Sequence, residues 1–137
     1  MFSKVLLTTS LAVLCNVASA GFGPGKCSTP VLQENFSATG YLGRWFEVKR
    51  DKALPFEKDA TCVTADYSLI DATTLGVLNR QFNSVTGKDD SITGSASCNG
   101  PACVVSFPPP APRGDYRVVS TDYTSYSIVY SCTEFGE

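Results

Sequence analysis

A strict alternation of apolar and polar residues between positions 62 and 69 is the strongest constraint on the fold. The apolar members are Val63, Ala65, Tyr67 and Leu69, and the residues between them are polar or small. Successive side chains point to opposite faces of a β-strand, so this pattern predicts a strand with one face buried against a core. Cys62 falls on the opposite, outer face.

Six further short strands are predicted at regular spacing. Turn signals separate them, such as Asn-Gly at 99–100 and a proline-rich run at 108–112, and they cover residues 41–50, 75–83, 91–97, 103–107, 114–120 and 126–132. The sequence has no amphipathic helical pattern and no internal repeat. Short strands joined by hairpin-length turns predict an all-β domain, either an antiparallel sandwich or an up-and-down barrel.

Trp45, the only tryptophan, lies in the first of these strands, two residues after Gly43. Because Gly43 has no Cβ, the chain can bend or approach another segment closely at that point. Alternation places Trp45 and Glu47 on one face of the strand and Phe46 on the other. A large indole at the start of a strand can plug one end of a barrel. The simpler alternative is an ordinary core tryptophan in an amphipathic strand.

Residues 1–20 have the features of a secretory signal peptide: Lys4, an apolar run over 5–14 and an A-x-A cleavage site that ends at Ala20. We therefore expect a secreted, extracellular protein whose mature domain covers residues 21–137. No segment is long and apolar enough to span a bilayer, so no stable membrane insertion is expected. Asn35-Phe36-Ser37 matches the acceptor for N-glycosylation, a short pattern that also arises by chance.

The composition excludes several classes of function. Histidine is absent, which removes Ser-His-Asp catalysis, Cys-His catalysis and histidine metal ligation. The chain has 11 basic and 13 acidic residues and no basic stripe, so nucleic acid is not an expected partner. The pair Asp89-Asp90 lies in a turn and is expected to be solvated. We predict that the protein is not an enzyme, has no catalytic residues and needs no metal or cofactor.

Five cysteines remain once Cys15 leaves with the signal peptide: Cys27, Cys62, Cys98, Cys103 and Cys132. An odd number in a secreted chain leaves at least one thiol without a partner inside the chain. Cys98 and Cys103 flank the Asn-Gly turn, and facing residues of a hairpin lie within disulfide reach. The spacing therefore predicts a Cys98–Cys103 bridge, with a reduced pair as the alternative.

Several blocks of the sequence resemble the apolipoprotein D-like branch of the lipocalin family. Tyr41-Leu42-Gly43-Arg44-Trp45-Phe46-Glu47 resembles the family's G-x-W motif, Ala65–Leu69 its second strand, and Thr121-Asp122-Tyr123 its T-D-Y motif. The resemblance covers residues 27–132. It implies an antiparallel up-and-down barrel of the lipocalin type that holds a small hydrophobic ligand of the fatty acid, sterol or retinoid class. Eight strands enclose a space of that size.

Strand alternation within the implied barrel assigns the candidate ligand-binding residues, and for the strand at 114–120 the family resemblance decides which face points inward. The inward set comprises Trp45, Glu47, Val63, Ala65, Tyr67, Leu69, Tyr116, Val118 and Val129, with Ser120 on the same face as Val118. Trp45 and Glu47 are expected to close the bottom beside the T-D-Y turn, and the loop at 51–61 is expected to frame the mouth. The resemblance also implies a Cys27–Cys132 disulfide and leaves Cys62 unpaired.

The chain departs from the family pattern after Cys132, where only five residues remain. The family continues with an eighth strand, an arginine that packs on the tryptophan, and a helix outside the barrel. We therefore expect a C-terminally incomplete domain with about seven of the eight strands. Outward-facing Tyr126, Ile128 and Tyr130 form an apolar patch, and we expect self-association through the open edge or through Cys62.

Two alternatives to a ligand carrier stay open. One is a disulfide-stapled secreted β module that acts through its surface as an adhesive or inhibitory protein. The other is a truncated product with no function of its own. A filled interior that takes up no fluorescent fatty acid would favour the first alternative.

Overall fold

A single antiparallel sheet contains all the strands of this computed structural model, which describes residues 25–50 and 59–134. Each strand pairs with its neighbours in the sequence, so the order along the sheet is β1 to β7. The strands are β1 (Gly43–Phe46), β2 (Ala60–Leu69), β3 (Thr74–Asn83), β4 (Lys88–Asn99), β5 (Ala102–Ser106), β6 (Gly114–Thr121) and β7 (Ser127–Tyr130). This confirms the predicted up-and-down all-β fold. The predicted signal peptide and most of the loop at 51–61 lie outside the described residues.

The concave face of the sheet carries the core. The register pairs Ala65 with Trp45 and with Asn79, and it places Val77 between Tyr67 and Gly94. The buried hydrophobic side chains of the strands lie on this inner face or at its margin: Ala60, Tyr67, Leu75, Val77, Ala96, Cys103, Val105 and Val118. The alternation that the sequence predicted for β2 is therefore the alternation between this core and solvent.

A β-bulge interrupts β2 near its start. Thr61 pairs with Phe82 and Thr64 with Arg80, so β2 has an additional residue relative to β3, and Cys62 has a positive φ of 54°. The additional residue bends the strand and resets its alternation, which lets Ala60 be buried while Cys62 is exposed. The prediction that Cys62 faces outward agrees with this geometry, although no local sequence pattern indicates the bulge.

A second register shift corrects the prediction for Ser120. Val118 pairs with Val129, but the next pair is Ser120 with Ile128, so Val119 is the additional residue. The Ser120 hydroxyl lies 3.0 Å from the hydroxyl of Tyr126, on the face that Ile128 exposes. Ser120 therefore faces outward, because the bulge reverses the alternation that the sequence extended from Val118.

Within the described residues the hydrogen-bonded ladder ends at β1 on one side and at β7 on the other. Each of these edge strands has four residues and one neighbour. The N-terminal arm lies against β6, where the Gln33 N–H donates to the Val118 carbonyl (3.0 Å) and the Gln33 side chain accepts from the Thr121 N–H (2.9 Å). The curled sheet is thus a half-barrel with an arm fastened across it.

Glycine is required at positions 43 and 94 for different structural reasons. Gly43 has φ +105°, and a Cβ built on it meets nothing within 4 Å, so the position needs glycine for its backbone bend. Gly94 in β4 has ordinary backbone angles, but a Cβ there would lie 2.4 Å from the Ser106 carbonyl oxygen and 2.5 Å from the Phe107 ring. Gly94 therefore permits the close approach of the chain that leaves β5.

Candidate functional site

Trp45 lies on the inner face at the end of the sheet that the N-terminal arm covers. Its ring stacks on Tyr41 with centroids 4.9 Å apart, and its indole N–H donates to the Tyr41 carbonyl at 2.9 Å. Tyr41 is buried and also contacts Phe36, whose ring centroid lies 6.1 Å from that of Tyr123. These rings form an aromatic floor at one end of the concave face, which we call the closed end.

The T-D-Y segment is the turn that seals the closed end. Buried Thr121 donates its hydroxyl to the Tyr126 carbonyl (2.8 Å) and accepts from the Tyr123 N–H (3.0 Å). Asp122 accepts backbone N–H groups from Thr124, Ser125 and Tyr126 at 2.8–3.0 Å. Hydrogen bonds from the Ser125 side chain and from these amides hold the pKa of the Asp122 carboxyl well below its usual range.

A chain of hydroxyl groups crosses the interior above this floor. The Tyr67 hydroxyl donates to that of Tyr116 (2.8 Å), which lies 2.9 Å from the Tyr41 hydroxyl, and Tyr41 in turn lies 2.7 Å from Ser127 Oγ. Burial raises the pKa of both Tyr67 and Tyr116 above the usual value. The chain ties β2, β6, β7 and the segment before β1 together.

The sequence prediction included Tyr67 and Tyr116 in the interior but missed Tyr41. The predicted first strand included Tyr41, but faces were assigned only around Trp45, and in the structure Tyr41 precedes β1. The signals for Tyr41 were its position within the G-x-W block and its separation of four residues from Trp45, which puts both on one face when the alternation is extended back. Its burial and its two hydroxyl contacts depend on residues 75 and 86 positions away, and such contacts leave no trace in a local pattern.

The wall of the concave face beside Trp45 is narrow and mostly apolar. Ala65 pairs with Trp45, Val63 continues the same inward series, and Asn79 stands beside Ala65 on β3. The Asn79 side-chain oxygen is buried and has no hydrogen-bond partner among the described residues. A buried polar atom without a partner is costly, so Asn79 is the one polar side chain of this wall whose environment is incomplete.

Three predicted ligand-binding residues differ from expectation in their surroundings. Leu69 is 50% exposed at the end of β2, and Val129 on the edge strand is 38% exposed opposite Val118, which is fully buried. Glu47 does not close the bottom. Its N–H donates to the Val63 carbonyl and its carboxylate pairs with Arg50, so it lies further from the closed end than Trp45. Alternation predicts which face of the sheet a residue occupies but not its position along the barrel axis.

The cysteines have the arrangement that was predicted. Cys27 and Cys132 form a disulfide with Cα atoms 5.8 Å apart, and Cys98 and Cys103 form another with Cα atoms 4.0 Å apart. The thiol of Cys62 is free and exposed. The first disulfide fixes the arm near β7, where the Ser28 N–H donates to the Tyr130 hydroxyl at 3.0 Å. The arm therefore contacts Tyr130, and the predicted apolar patch is reduced to Tyr126 and Ile128.

The outer face carries a charged cluster centred on Asp66. Asp66 accepts hydrogen bonds from Nε and Nη2 of Arg44 (2.8 and 3.1 Å) and also pairs with Arg80. The hydrogen bonds from Arg44 lower the pKa of the Asp66 carboxyl. Across 25–50 and 59–134, no group of three or more His, Cys, Asp or Glu residues is placed to hold a metal ion. In the same part of the chain, no helix of membrane-spanning length and hydropathy occurs.

Comparison with known proteins agrees with this geometry. The sequence model of the family described as "Lipocalin-like domain" matches residues 36–133, and the chain belongs to the lipocalin family. It is 38% identical to mouse (Mus musculus) apolipoprotein D over 140 residues, covering 98% of this chain and 72% of that protein. It is 31% identical to the Lazarillo protein of Schistocerca americana over 135 residues, covering 95% of this chain and 63% of the relative.

A bacterial relative and a solved structure extend the comparison. The outer membrane lipoprotein Blc of Escherichia coli is 35% identical over 122 residues, covering 82% of this chain and 68% of that protein. The crystal structure of the major allergen Per a 4 from cockroaches superposes with a TM-score of 0.64 and 24% identity, covering 79% of this chain and 66% of that chain. The structural match supports the fold, and the sequence matches support the apolipoprotein D-like branch.

Proposed function

We propose that the protein is a secreted carrier or scavenger that binds one small hydrophobic molecule against the concave face of its sheet. The observation that carries the proposal is the inner face itself, which is lined by apolar and aromatic side chains in a chain of the lipocalin family. Ligand sites of this kind are concave and mostly apolar, with few polar groups. The proposed lining residues are Trp45, Val63, Ala65, Tyr67, Tyr116, Val118 and Val129.

The polar groups of the interior support a ligand with a single polar end. The Tyr116 hydroxyl is hydrogen-bonded to those of Tyr67 and Tyr41, so these three hydroxyls are already engaged rather than free to bond a ligand. Asn79 has a buried oxygen without a partner in the described part of the chain, and rotation of its amide would present either a donor or an acceptor to a ligand. A fatty acid, a sterol or a retinoid has this combination of a long apolar body and one polar group.

Uptake of a fluorescent fatty acid tests the proposal. Ala65→Phe adds bulk to the inner wall beside Trp45, whereas Thr93→Phe adds the same ring at an exposed position of β4, opposite Leu78 on the outer face. Overpacking costs about 1–3 kcal/mol, so Ala65→Phe should weaken binding by about 5- to 150-fold. Thr93→Phe should bind as the parent does. Equal affinity in both variants would place the ligand elsewhere, and absence of uptake by the parent protein would refute the proposal.

The same proposal includes no catalysis, and the absence of histidine removes Ser-His-Asp and Cys-His mechanisms. It includes secretion, which the sequence of residues 1–20 supports. The tripeptide Arg113-Gly114-Asp115 matches an integrin-type adhesion sequence, but an adhesive role is disfavoured for it. Asp115 pairs with Val104 in the sheet and accepts from Arg117 at 2.8 Å, so its carboxylate is engaged. We further propose weak self-association, since β1 and β7 each have an unpaired edge within the described residues and Cys62 is exposed.

A further inference from the structure

Asn35 is an exposed side chain at the closed end of the sheet. It lies in a turn of the N-terminal arm with φ +50°, a backbone region that asparagine adopts more readily than most residues. Its side chain makes no hydrogen bond within residues 25–50 and 59–134. Nothing in the described structure therefore depends on its amide group.

The two residues that follow Asn35 are fixed in place. The Phe36 ring packs on Tyr41, with centroids 5.4 Å apart. The Ser37 N–H donates to the Tyr123 hydroxyl at 3.1 Å, and the Ser37 hydroxyl accepts from the Gly40 N–H at 3.1 Å. Phe36 and Ser37 thus hold the segment against the aromatic floor, while the amide of Asn35 is left free in solvent.

Asn79 and Asn83 differ from Asn35 in both sequence and surroundings, whereas Asn99 is exposed like Asn35 but is followed by Gly-Pro. Asn35 is the only one in the chain with Ser or Thr two residues later. Asn79 lies on the inner wall with its oxygen buried, and Asn83 accepts from the N–H groups of Val85 and Thr86 in the turn between β3 and β4. Only Asn35 combines the acceptor sequence with a free, exposed amide.

We propose that Asn35 carries an N-linked glycan. The amide nitrogen displaces a polyprenyl diphosphate from the anomeric carbon of a lipid-linked oligosaccharide. A C–N bond forms, the sugar–phosphate bond breaks, and the amide loses one proton. The reaction needs entry into the secretory compartment, which residues 1–20 predict. The attached glycan replaces no contact of the folded chain and extends from the closed end into solvent.

The position of Asn35 also separates the glycan from the ligand. Its neighbours Phe36 and Ser37 contact Tyr41 and Tyr123 at the closed end. The opposite end of the sheet is formed by the first residues of β2 and by the turn between β3 and β4. A glycan on Asn35 therefore leaves that end open for ligand exchange.

Glycopeptide mass spectrometry on the full chain expressed in cultured animal cells tests the proposal. We expect a glycan on Asn35 that peptide N-glycosidase removes with conversion of Asn35 to Asp. Asn35→Gln and Ser37→Ala should both abolish it. Ser37→Thr, which keeps the hydroxyl of the acceptor sequence and its contact with Gly40, should retain it.

Val85→Thr supplies a matched control, because it creates the acceptor sequence Asn83-Ser84-Thr at the opposite end of the sheet. A glycan on Asn83 in this variant with none on Asn35 would overturn the proposal. A chain that carries no glycan at either position would overturn it too, since such a chain does not reach the transferase. When Val85→Thr carries glycans on both Asn35 and Asn83, enzymatic deglycosylation should speed its fatty acid uptake. Deglycosylation of the parent, which carries a glycan on Asn35 only, should leave its rate of uptake unchanged. Faster uptake by the deglycosylated parent would contradict the placement of the glycan.

Discussion

Replacing Tyr116 with phenylalanine removes the central member of the interior hydroxyl chain. The Tyr116 hydroxyl contacts the hydroxyls of both Tyr67 (2.8 Å) and Tyr41 (2.9 Å), and the Tyr67 hydroxyl has no other hydrogen bond among the described residues. A net hydrogen bond contributes about 1 kcal/mol, and a buried donor left without a partner costs about 1–3 kcal/mol. The free energy of unfolding should therefore fall by about 2–4 kcal/mol. Tyr67→Phe removes only an end of the chain and should cost about 1 kcal/mol.

The double variant makes this prediction sharper. With Tyr67→Phe and Tyr116→Phe together, no Tyr67 hydroxyl is left without a partner, and Tyr41 keeps Ser127. The combined loss should be about 2–4 kcal/mol smaller than the sum of the two single losses, because the Tyr67–Tyr116 bond is otherwise counted twice and the penalty of the unpartnered Tyr67 hydroxyl disappears. Urea unfolding followed by tryptophan fluorescence measures all three, and the Tyr116→Phe midpoint should shift by about 1 M or more. Additive losses, or a Tyr67→Phe loss as large as that of Tyr116→Phe, would refute the hydroxyl chain.

The same tyrosines predict a loss of stability in alkali. Burial raises the pKa of Tyr67 and Tyr116, so the folded protein holds these protons more tightly than the unfolded chain, whose tyrosines titrate near about 10. This contribution is complete below pH ~10 and is lost as the pH rises above it. Tyr116→Phe should reduce the alkaline loss, which unfolding curves between neutral and alkaline pH would measure. An unchanged slope would contradict the assignment.

Three further perturbations follow from the described contacts. The lowered pKa of Asp122 contributes stability above pH ~4 that is lost as the pH falls, so Asp122→Asn should show a shallower acid unfolding curve. An unchanged curve would assign the loss of stability in acid to Asp66 and Asp71, whose pKa values are also lowered. Gly94→Val should lower the thermal midpoint, because its side chain would collide with the Ser106 carbonyl, and a parent-like midpoint would disprove the close approach. Sedimentation in oxidising buffer should show a covalent dimer that Cys62→Ser abolishes, whereas a dimer that persists in that variant would exclude Cys62 as the link.

The strands and the motif blocks could be predicted from the sequence because both are local. Alternation of Val63 to Leu69 defined β2, and Asn-Gly located the turn between β4 and β5. Strand boundaries were less accurate: β4 starts at Lys88 rather than at 91, since the polar residues of this hairpin extend beyond the core. The change from apolar to polar residues shows where a strand leaves the core, but the hydrogen-bonded pairing of the strands continues beyond that point.

The interior was predicted less completely, for three physical reasons. Bulges at Cys62 and Val119 change which face a residue occupies, as the outward position of Ser120 demonstrates. Alternation carries no information on position along the barrel axis, which is why Glu47 was predicted too close to the closed end. Contacts between segments distant in the sequence, such as Tyr41 with Tyr116, arise only when the sheet curls.

The most direct test of the proposed carrier function uses Trp45, the only tryptophan in the chain. A brominated fatty acid quenches an indole on contact, and Trp45 lies on the inner face between Tyr41 and Ala65. Titration with this ligand should quench Trp45 saturably at one equivalent, and an unbrominated fatty acid should compete. Equilibrium dialysis that detects bound fatty acid while Trp45 fluorescence stays unchanged would place the ligand away from the concave face and contradict the account.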